Sequence, residues 1–242
     1  RIRTRRVTEP DPVAVRATFS SVARRYDLAN HVLSGGLDFL WRAKLVEWAS
    51  SSCSGKVLDL ATGSGDVAFA LRRGLPEQSA IVGADFCPPM LEQARAKCER
   101  LGLDPIGNQF VEEDCLSLSF EDDSFDLVTI AFGLRNLSDR PRGLSEMRRV
   151  LKPGGKLVVL EFSQPSPWFR PFYYLYLRGV LPWLGWLMTR DRKAYLYLGG
   201  SIASFPDKEG LCAELEEAGF SAVRSLGMTF SVVALHEGSK ED

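Results

Sequence analysis

The sequence has little from which to build a metal centre or a disulfide framework. Its 242 residues include two histidines, His31 and His236, and five cysteines, Cys53, Cys87, Cys98, Cys115 and Cys212. The cysteines are odd in number, widely spread and form no C-x-x-C pair. They read as reduced thiols of a reducing compartment, and no metal site is expected. An excess of charge is missing too. Thirty Lys and Arg stand against 31 Asp and Glu, a net charge of −1. That balance argues against a nucleic-acid partner and against charge-driven disorder. Only Arg1, Arg3, Arg5 and Arg6 break it, as a short basic tail. No uncharged apolar run reaches 18 residues, so no helix is expected to span a membrane. The expected address is cytoplasmic. The first residue is Arg rather than Met, so a targeting peptide upstream, and with it an organellar address, stays open.

What the sequence does contain is alternation. Asp11-Pro12 reads as a helix start, and Val15, Phe19, Val22 and Ala23 carry that helix to about Asp27. Ser34-Gly35-Gly36 breaks it, and a second helix follows through Phe39 to Trp48. From Lys56 onward, strands at Val57–Leu60, Ala80–Ala84, Gln109–Val111, Phe125–Ala131 and Lys156–Phe162 alternate with helices at Val67–Arg73, Pro89–Arg100 and Arg142–Leu151. Strand–helix alternation of this kind predicts an α/β fold, a doubly wound and mostly parallel sheet covered on both faces. A helix at Lys208–Ala218 precedes two candidate strands, Ala222–Leu226 and Thr229–His236. The short Gly227-containing turn between these two predicts an antiparallel final strand. Residues 1–50 read as a basic tail with a helical cap, and 51–242 as the main domain. Within it, 163–204 falls outside the alternation. Trp168 to Met188 holds eight aromatics with only Arg170 and Arg178 charged, too apolar for a linker. It predicts an insertion over the strand ends.

The segment Val57-Leu58-Asp59-Leu60-Ala61-Thr62-Gly63-Ser64-Gly65-Asp66 runs from a strand through a glycine turn into a helix. Such a turn lets backbone approach a ligand closely and offers free N–H groups, though a ligand-free turn looks the same. Asp85 ends the second strand, 20 residues after Gly65, where a carboxylate can accept both ribose hydroxyls. Asp114 follows the third strand, placed to meet an adenine amino group beside the Cys115 backbone. Turn-capping is the competing role for both acids. An NAD-dependent oxidoreductase shares the ribose acid. It is disfavoured because the loop lacks a third glycine and because Asp59, within the strand, repels a pyrophosphate while favouring a cationic amine and sulfonium.

This order of elements resembles the class I S-adenosylmethionine-dependent methyltransferases. More specific blocks occur in order: Tyr26-Asp27-Leu28-Ala29-Asn30, Leu33-Ser34-Gly35-Gly36, Trp41-Arg42, Phe132-Gly133-Leu134-Arg135-Asn136, Arg149-Val150-Leu151-Lys152-Pro153-Gly154-Gly155, Leu160-Glu161-Phe162-Ser163 and Ala234-Leu235-His236. Together they resemble the ubiquinone/menaquinone-biosynthesis C-methyltransferase family from about Val15 to Lys240. The resemblance implies a seven-stranded sheet, S-adenosylmethionine as cofactor and methyl transfer to a ring carbon of a polyprenylated quinol. It implies cofactor contacts at Ser64, Asp85, Asp114 with Cys115, and Ala131; Asp59, Ala61, Gly63, Gly65 and Phe86, on the loop and strand ends, complete the expected cofactor set. Ala131 lacks the hydroxyl that family members often carry there.

Methylation of a quinol carbon asks the protein to position two partners and to stabilise a phenolate. Arg135 suits the phenolate, with Asn136 as a second donor; a loop salt bridge from Arg135 to Asp139 is the structural alternative. His236 and Tyr26 are the remaining catalytic candidates. A structural role competes for His236 near an edge strand, and a helix-end role for Tyr26, Asp27, Asn30 and His31. The aromatic insertion reads as walls for an apolar tail or as a surface touching the bilayer, with ordinary core as the competitor. Other readings stay open: a methyltransferase acting on another lipid or small molecule, and a non-catalytic nucleoside-binding partner in a biosynthetic complex. A homodimer is compatible with all of them.

Overall fold

The computed structural model describes residues 16, 31–50, 55–104, 107–181, 183 and 192–241. The expected first helix apart from Arg16, and Tyr26, Asp27, Asn30, Cys53 and Trp186, lie outside these residues. Seven strands form one sheet: β1 (Lys56–Leu60), β2 (Ala80–Asp85), β3 (Asn108–Glu112), β4 (Phe125–Ala131), β5 (Leu151–Phe162), β6 (Ser221–Met228) and β7 (Val233–Ser239). Their spatial order is β3-β2-β1-β4-β5-β7-β6, and β7 alone runs antiparallel, between β5 and β6. The expected sheet and its antiparallel final strand are both present.

Alternate side chains along each strand serve opposite faces. Val57, Leu127 and Val158 pack with α1 (Leu37–Ser50), α2 (Asp66–Gly74) and α3 (Pro88–Arg100) through Leu45, Leu71 and Leu91. Leu58, Val128 and Val159 pack on the other face with α4 (Arg140–Val150) and α7 (Lys208–Glu217) through Met147 and Leu215. Asp139 caps α4 by accepting from Arg142 N at 3.1 Å, and Asp207 caps α7 by accepting from Gly210 N at 2.9 Å.

Two strands differ from the sequence reading by more than two residues. β5 begins at Leu151 rather than Lys156, because Gly154 N donates to Lys240 O and Lys240 N to Gly155 O, which ties the Lys152–Gly155 segment to the chain beyond β7. The last strand is Val233–Ser239 rather than Thr229–His236. Thr229, Phe230 and Ser231 adopt φ of 49°, 56° and 63° and form the turn, while Gly227 belongs to β6 and pairs with Ala234.

The insertion folds as α5 (Arg170–Leu175), a wide turn at Tyr176–Val180 and α6 (Arg192–Ser204). Tyr173, Leu177, Leu181, Tyr195 and Ile202 are buried with Leu160 and Val232, on the α1 side of the sheet. No helix among the described residues is long and apolar enough to cross a membrane.

Candidate active site

The strand order reverses between β1 and β4, and in open α/β sheets the carboxyl ends of strands at such a point form the ligand crevice. Two non-glycine residues there take left-handed backbone: Ala61 after β1, φ 50°, and Phe132 after β4, φ 55°. Such conformations cost on the order of 1–3 kcal/mol each and concentrate at functional sites. Their close approach depends on Gly133, where an added Cβ would lie 2.5 Å from the Ala61 Cβ.

A cleft at this edge is lined by Ala61, Gly63, Asp85, Phe86, Asp114, Cys115 and Ala131, together with Met90, Phe132 and Asn136. Seven of the ten expected cofactor residues therefore surround one space. Asp85, 7% exposed, accepts from Gly63 N at 2.8 Å and Cys87 N at 2.9 Å. Burial pushes its pKa up, and the backbone donors of Gly63, Cys87 and Phe86 oppose that shift. The carboxylate thus holds the glycine loop in place and keeps lone pairs for a ligand.

Asp59, Ser64 and Gly65 do not line the cleft. Asp59 is 1% exposed, and its two oxygens accept from Thr62 Oγ1 at 2.6 Å and Thr129 Oγ1 at 2.7 Å. Burial raises its pKa to about 6, against the two threonine hydrogen bonds. The expectation that it faces a cationic ligand is corrected: it ties β1, the loop and β4 together. Ser64 Oγ is likewise buried and accepts from Lys97 Nζ at 3.1 Å, behind the loop. Gly65 starts α2 with φ 87° and has Phe69 and Phe110 at its Cα.

Beside the cleft lies an apolar cavity of about 420 Å³, walled by Trp41, Phe132, Phe162, Phe169, Tyr173 and Leu177 among others, with Arg135 and Tyr197 also in its lining. Phe132 lines both spaces. Arg135 is not paired with Asp139, which caps α4. Its partner is Glu161, fully buried, which accepts from Arg135 Nη1 at 2.9 Å and from the Arg135 backbone N at 3.2 Å. Arg135 Nη1 also donates to Phe132 O, and the guanidinium lies 5.2 Å from the Phe162 ring centre. Its Nε is buried without a hydrogen-bond partner. Asn136 lies on the cofactor side, its amide donating to Phe132 O at 3.4 Å.

His236 lines neither space. It is 1% exposed on β7, with Nε2 donating to Lys208 O at 3.0 Å and a pKa lowered to about 4 by burial. That placement corrects the catalytic expectation and makes it a packing residue between β7 and α7. His31 sits 2.6 Å from Asp38 near the start of α1, beside the Asp38–Arg42 pair, in keeping with a helix-end role. A wider groove of about 640 Å³, lined by Arg42, Arg73, Lys97 and Arg100, carries none of the expected site residues. Sequence reasoning assigned no role to Glu161, Tyr173 or Tyr197. A lone acid inside the apolar run Leu157–Phe162 was the signal for Glu161; the tyrosines carried none.

The model of the ubiE/COQ5 methyltransferase family matches residues 6–240. The chain belongs to this family. A relative named demethylmenaquinone methyltransferase, from Thermus thermophilus, is 48% identical over 223 residues, 92% of this chain and 99% of the relative. Another, named ubiquinone/menaquinone biosynthesis C-methyltransferase, from Dinoroseobacter shibae, is 42% identical over 93% of this chain and 90% of the relative. Among solved structures, an S-adenosylmethionine-dependent methyltransferase from Thermotoga maritima aligns with a TM-score of 0.66 at 19% identity, covering 93% and 99% of the two chains. The [4+2]-cyclase SpnF aligns at 0.69 with 18% identity, over 96% and 97%. A cyclase among the neighbours shows that the fold alone does not fix the chemistry. Family membership does: the chain is a C-methyltransferase whose methyl donor is S-adenosylmethionine. The NAD-dependent and non-catalytic readings fall with it.

Proposed function

We propose that the chain methylates a ring carbon of a polyprenylated quinol, a demethylmenaquinol or a 2-methoxy-6-polyprenyl-1,4-benzoquinol, as the names of its relatives suggest. The observation that carries this reading is the meeting of the Asp85 cleft and an aromatic-walled cavity at Phe132, with Arg135 in the cavity lining. S-adenosylmethionine, when bound, supplies an electrophilic methyl group on a sulfonium.

In the cleft, Asp85 would accept the ribose hydroxyls, Asp114 and the Cys115 backbone would meet the adenine edge, and Phe86 and Met90 would flank the base. Ala61, Gly63 and Ala131 leave room for backbone contact with the ligand. In the cavity, the Phe, Tyr and Leu walls exclude water and hold the ring and the first part of the tail. A phenolate is a better carbon nucleophile than a phenol, so a group that stabilises the phenolate lowers the barrier. Arg135 has that role: its charge is permanent, it lines the cavity, and Glu161 fixes its orientation. The exposed face of α5 and the turn before it, with Trp168, Phe172 and Leu175 beside Arg170 and Arg178, meets the bilayer that holds such tails.

The test is turnover under anaerobic conditions with a methyl-labelled donor and each reduced ring in turn. Label recovered in the ring carbon of a naphthoquinol or a benzoquinol supports the reading and assigns the nucleus. Failure with both, while S-adenosylhomocysteine still binds, turns the assignment to another lipid or small molecule.

A further inference from the structure

Tyr197 stands where the two spaces meet. It belongs to α6 and lines the aromatic cavity with Arg135 and Phe132. Its hydroxyl donates to Asn136 Oδ1 at 3.1 Å, and Asn136 lines the cofactor cleft. The Asn136 amide nitrogen donates to the Phe132 carbonyl, which leaves the side-chain oxygen as the acceptor. That oxygen takes the single proton of Tyr197, so toward any other partner the Tyr197 oxygen can only accept. Burial raises the Tyr197 pKa, and Arg135 and Glu161 act on it in opposite directions, so the phenol stays protonated at neutral pH. Arg135 is the opposite kind of group: a guanidinium donates and never accepts, and it lines the same cavity. Within the cavity lining, Tyr197 and Arg135 therefore present a fixed acceptor and a fixed donor.

We propose that Tyr197 is a specificity residue that selects the reduced ring over the oxidised one. This rests on the quinol reading above. A quinol offers an O–H to the Tyr197 oxygen and an oxygen lone pair to Arg135. A quinone has two carbonyl oxygens and no donor. It satisfies Arg135 and sets a second acceptor against Tyr197. The alternative arrangement withdraws the Tyr197 proton from Asn136 and leaves the Asn136 oxygen unpaired. Either mismatch leaves a polar group unsatisfied in a largely buried site, which corresponds to a loss in affinity on the order of tenfold. Only the reduced ring has a nucleophilic carbon, so the discrimination keeps an unreactive ring from occupying the site.

The experiment is calorimetric binding of a short-tailed naphthoquinone, oxidised and dithionite-reduced, under argon with the protein saturated in S-adenosylhomocysteine. The native chain should prefer the reduced ring by about tenfold. Tyr197→Phe keeps the ring and its packing; it should lose most of that preference through weaker quinol binding, with quinone affinity unchanged or higher. Asn136→Ala frees the Tyr197 proton, and here the preference should shrink through a gain in quinone affinity. The ratio of the two affinities is the readout, because a loosened insertion weakens both forms alike. Equal loss of both in Tyr197→Phe, or a preference that survives both substitutions, overturns the proposal. So does a native chain that binds both forms equally. If neither form binds the native chain while S-adenosylhomocysteine does, the quinol reading itself fails.

Discussion

Glu161 grips Arg135 at two points, the guanidinium and the backbone N–H, from a position with no solvent exposure. A buried charge pair of this kind contributes little net stability, yet removal of one partner leaves the other uncompensated at about 3–5 kcal/mol. Arg135→Gln should therefore lower both stability and kcat, and early melting alone does not argue against catalysis. The double substitution Arg135→Gln with Glu161→Gln separates the two effects. It should recover most of the melting temperature while kcat stays down by roughly 10²-fold. Recovery of kcat along with stability would reduce Arg135 to a structural tie.

Asp85 combines loop support with ligand binding, and the two respond differently to neutralisation. Asp85→Asn keeps one acceptor but turns an NH₂ toward Gly63 N or Cys87 N, a modest structural cost. Loss of the charge facing the ribose hydroxyls should weaken S-adenosylhomocysteine binding by about 1.5–3 kcal/mol, roughly 10- to 100-fold. Calorimetry that finds unchanged affinity would remove Asp85 from the ribose contact.

The central strands were legible because burial on both faces makes them continuous apolar runs: Phe125–Ala131 reads as a strand and is one. The final hairpin misled for a physical reason. Thr229 and Phe230 have strand-like side chains, but their left-handed backbone makes the turn, which folds back so closely that a Cβ on Gly227 would lie 2.5 Å from Ser231 Oγ. Gly227 therefore sits inside the strand. At the site, motif spacing found the carboxylate at Asp85 but misplaced Asp59, whose threonine partners come from the loop and from β4. The Arg135–Glu161 pair joins the ends of neighbouring parallel strands across 26 residues, a contact that only the sheet order creates.

His236 makes stability depend on pH in a defined window. Its folded pKa of about 4 lies below the ordinary 6.5. Between those values the unfolded chain binds a proton that the folded chain does not. The contribution is thus complete above about pH 6.5 and is lost as pH falls toward 4, on the order of 3 kcal/mol in all. Asp59, raised from 3.8 to about 6, acts with the opposite sign: its ionisation lowers stability as pH rises through that range. Comparison of the native chain with His236→Gln cancels the Asp59 effect. Denaturant midpoints of the two should converge as pH falls from 6.5 to 4, since the substituted chain has no imidazole to protonate. Curves that stay parallel across the window would show that His236 remains unperturbed.

The apolar surface of α5 and the turn before it adjoins the aromatic cavity at Phe172. Trp168, Phe172 and Leu175 are 62%, 65% and 71% exposed, Trp168 stacks edge-on with Phe230, and Phe172 and Tyr173 also line the cavity. A tail leaving the cavity therefore meets this face first. Each buried CH₂ is worth roughly 0.8 kcal/mol, so a long tail gains most from a continuous path into lipid. Arg170 and Arg178, exposed on the same segment, suit phosphate at the bilayer surface. Trp168→Ser with Phe172→Ser should reduce sedimentation with anionic vesicles and raise KM for a long-tailed quinol much more than for a tailless analogue. The melting temperature should change little, because both side chains are already exposed. If the two substrates respond equally and stability falls, these aromatics belong to the packing of the insertion, and the tail leaves by another route.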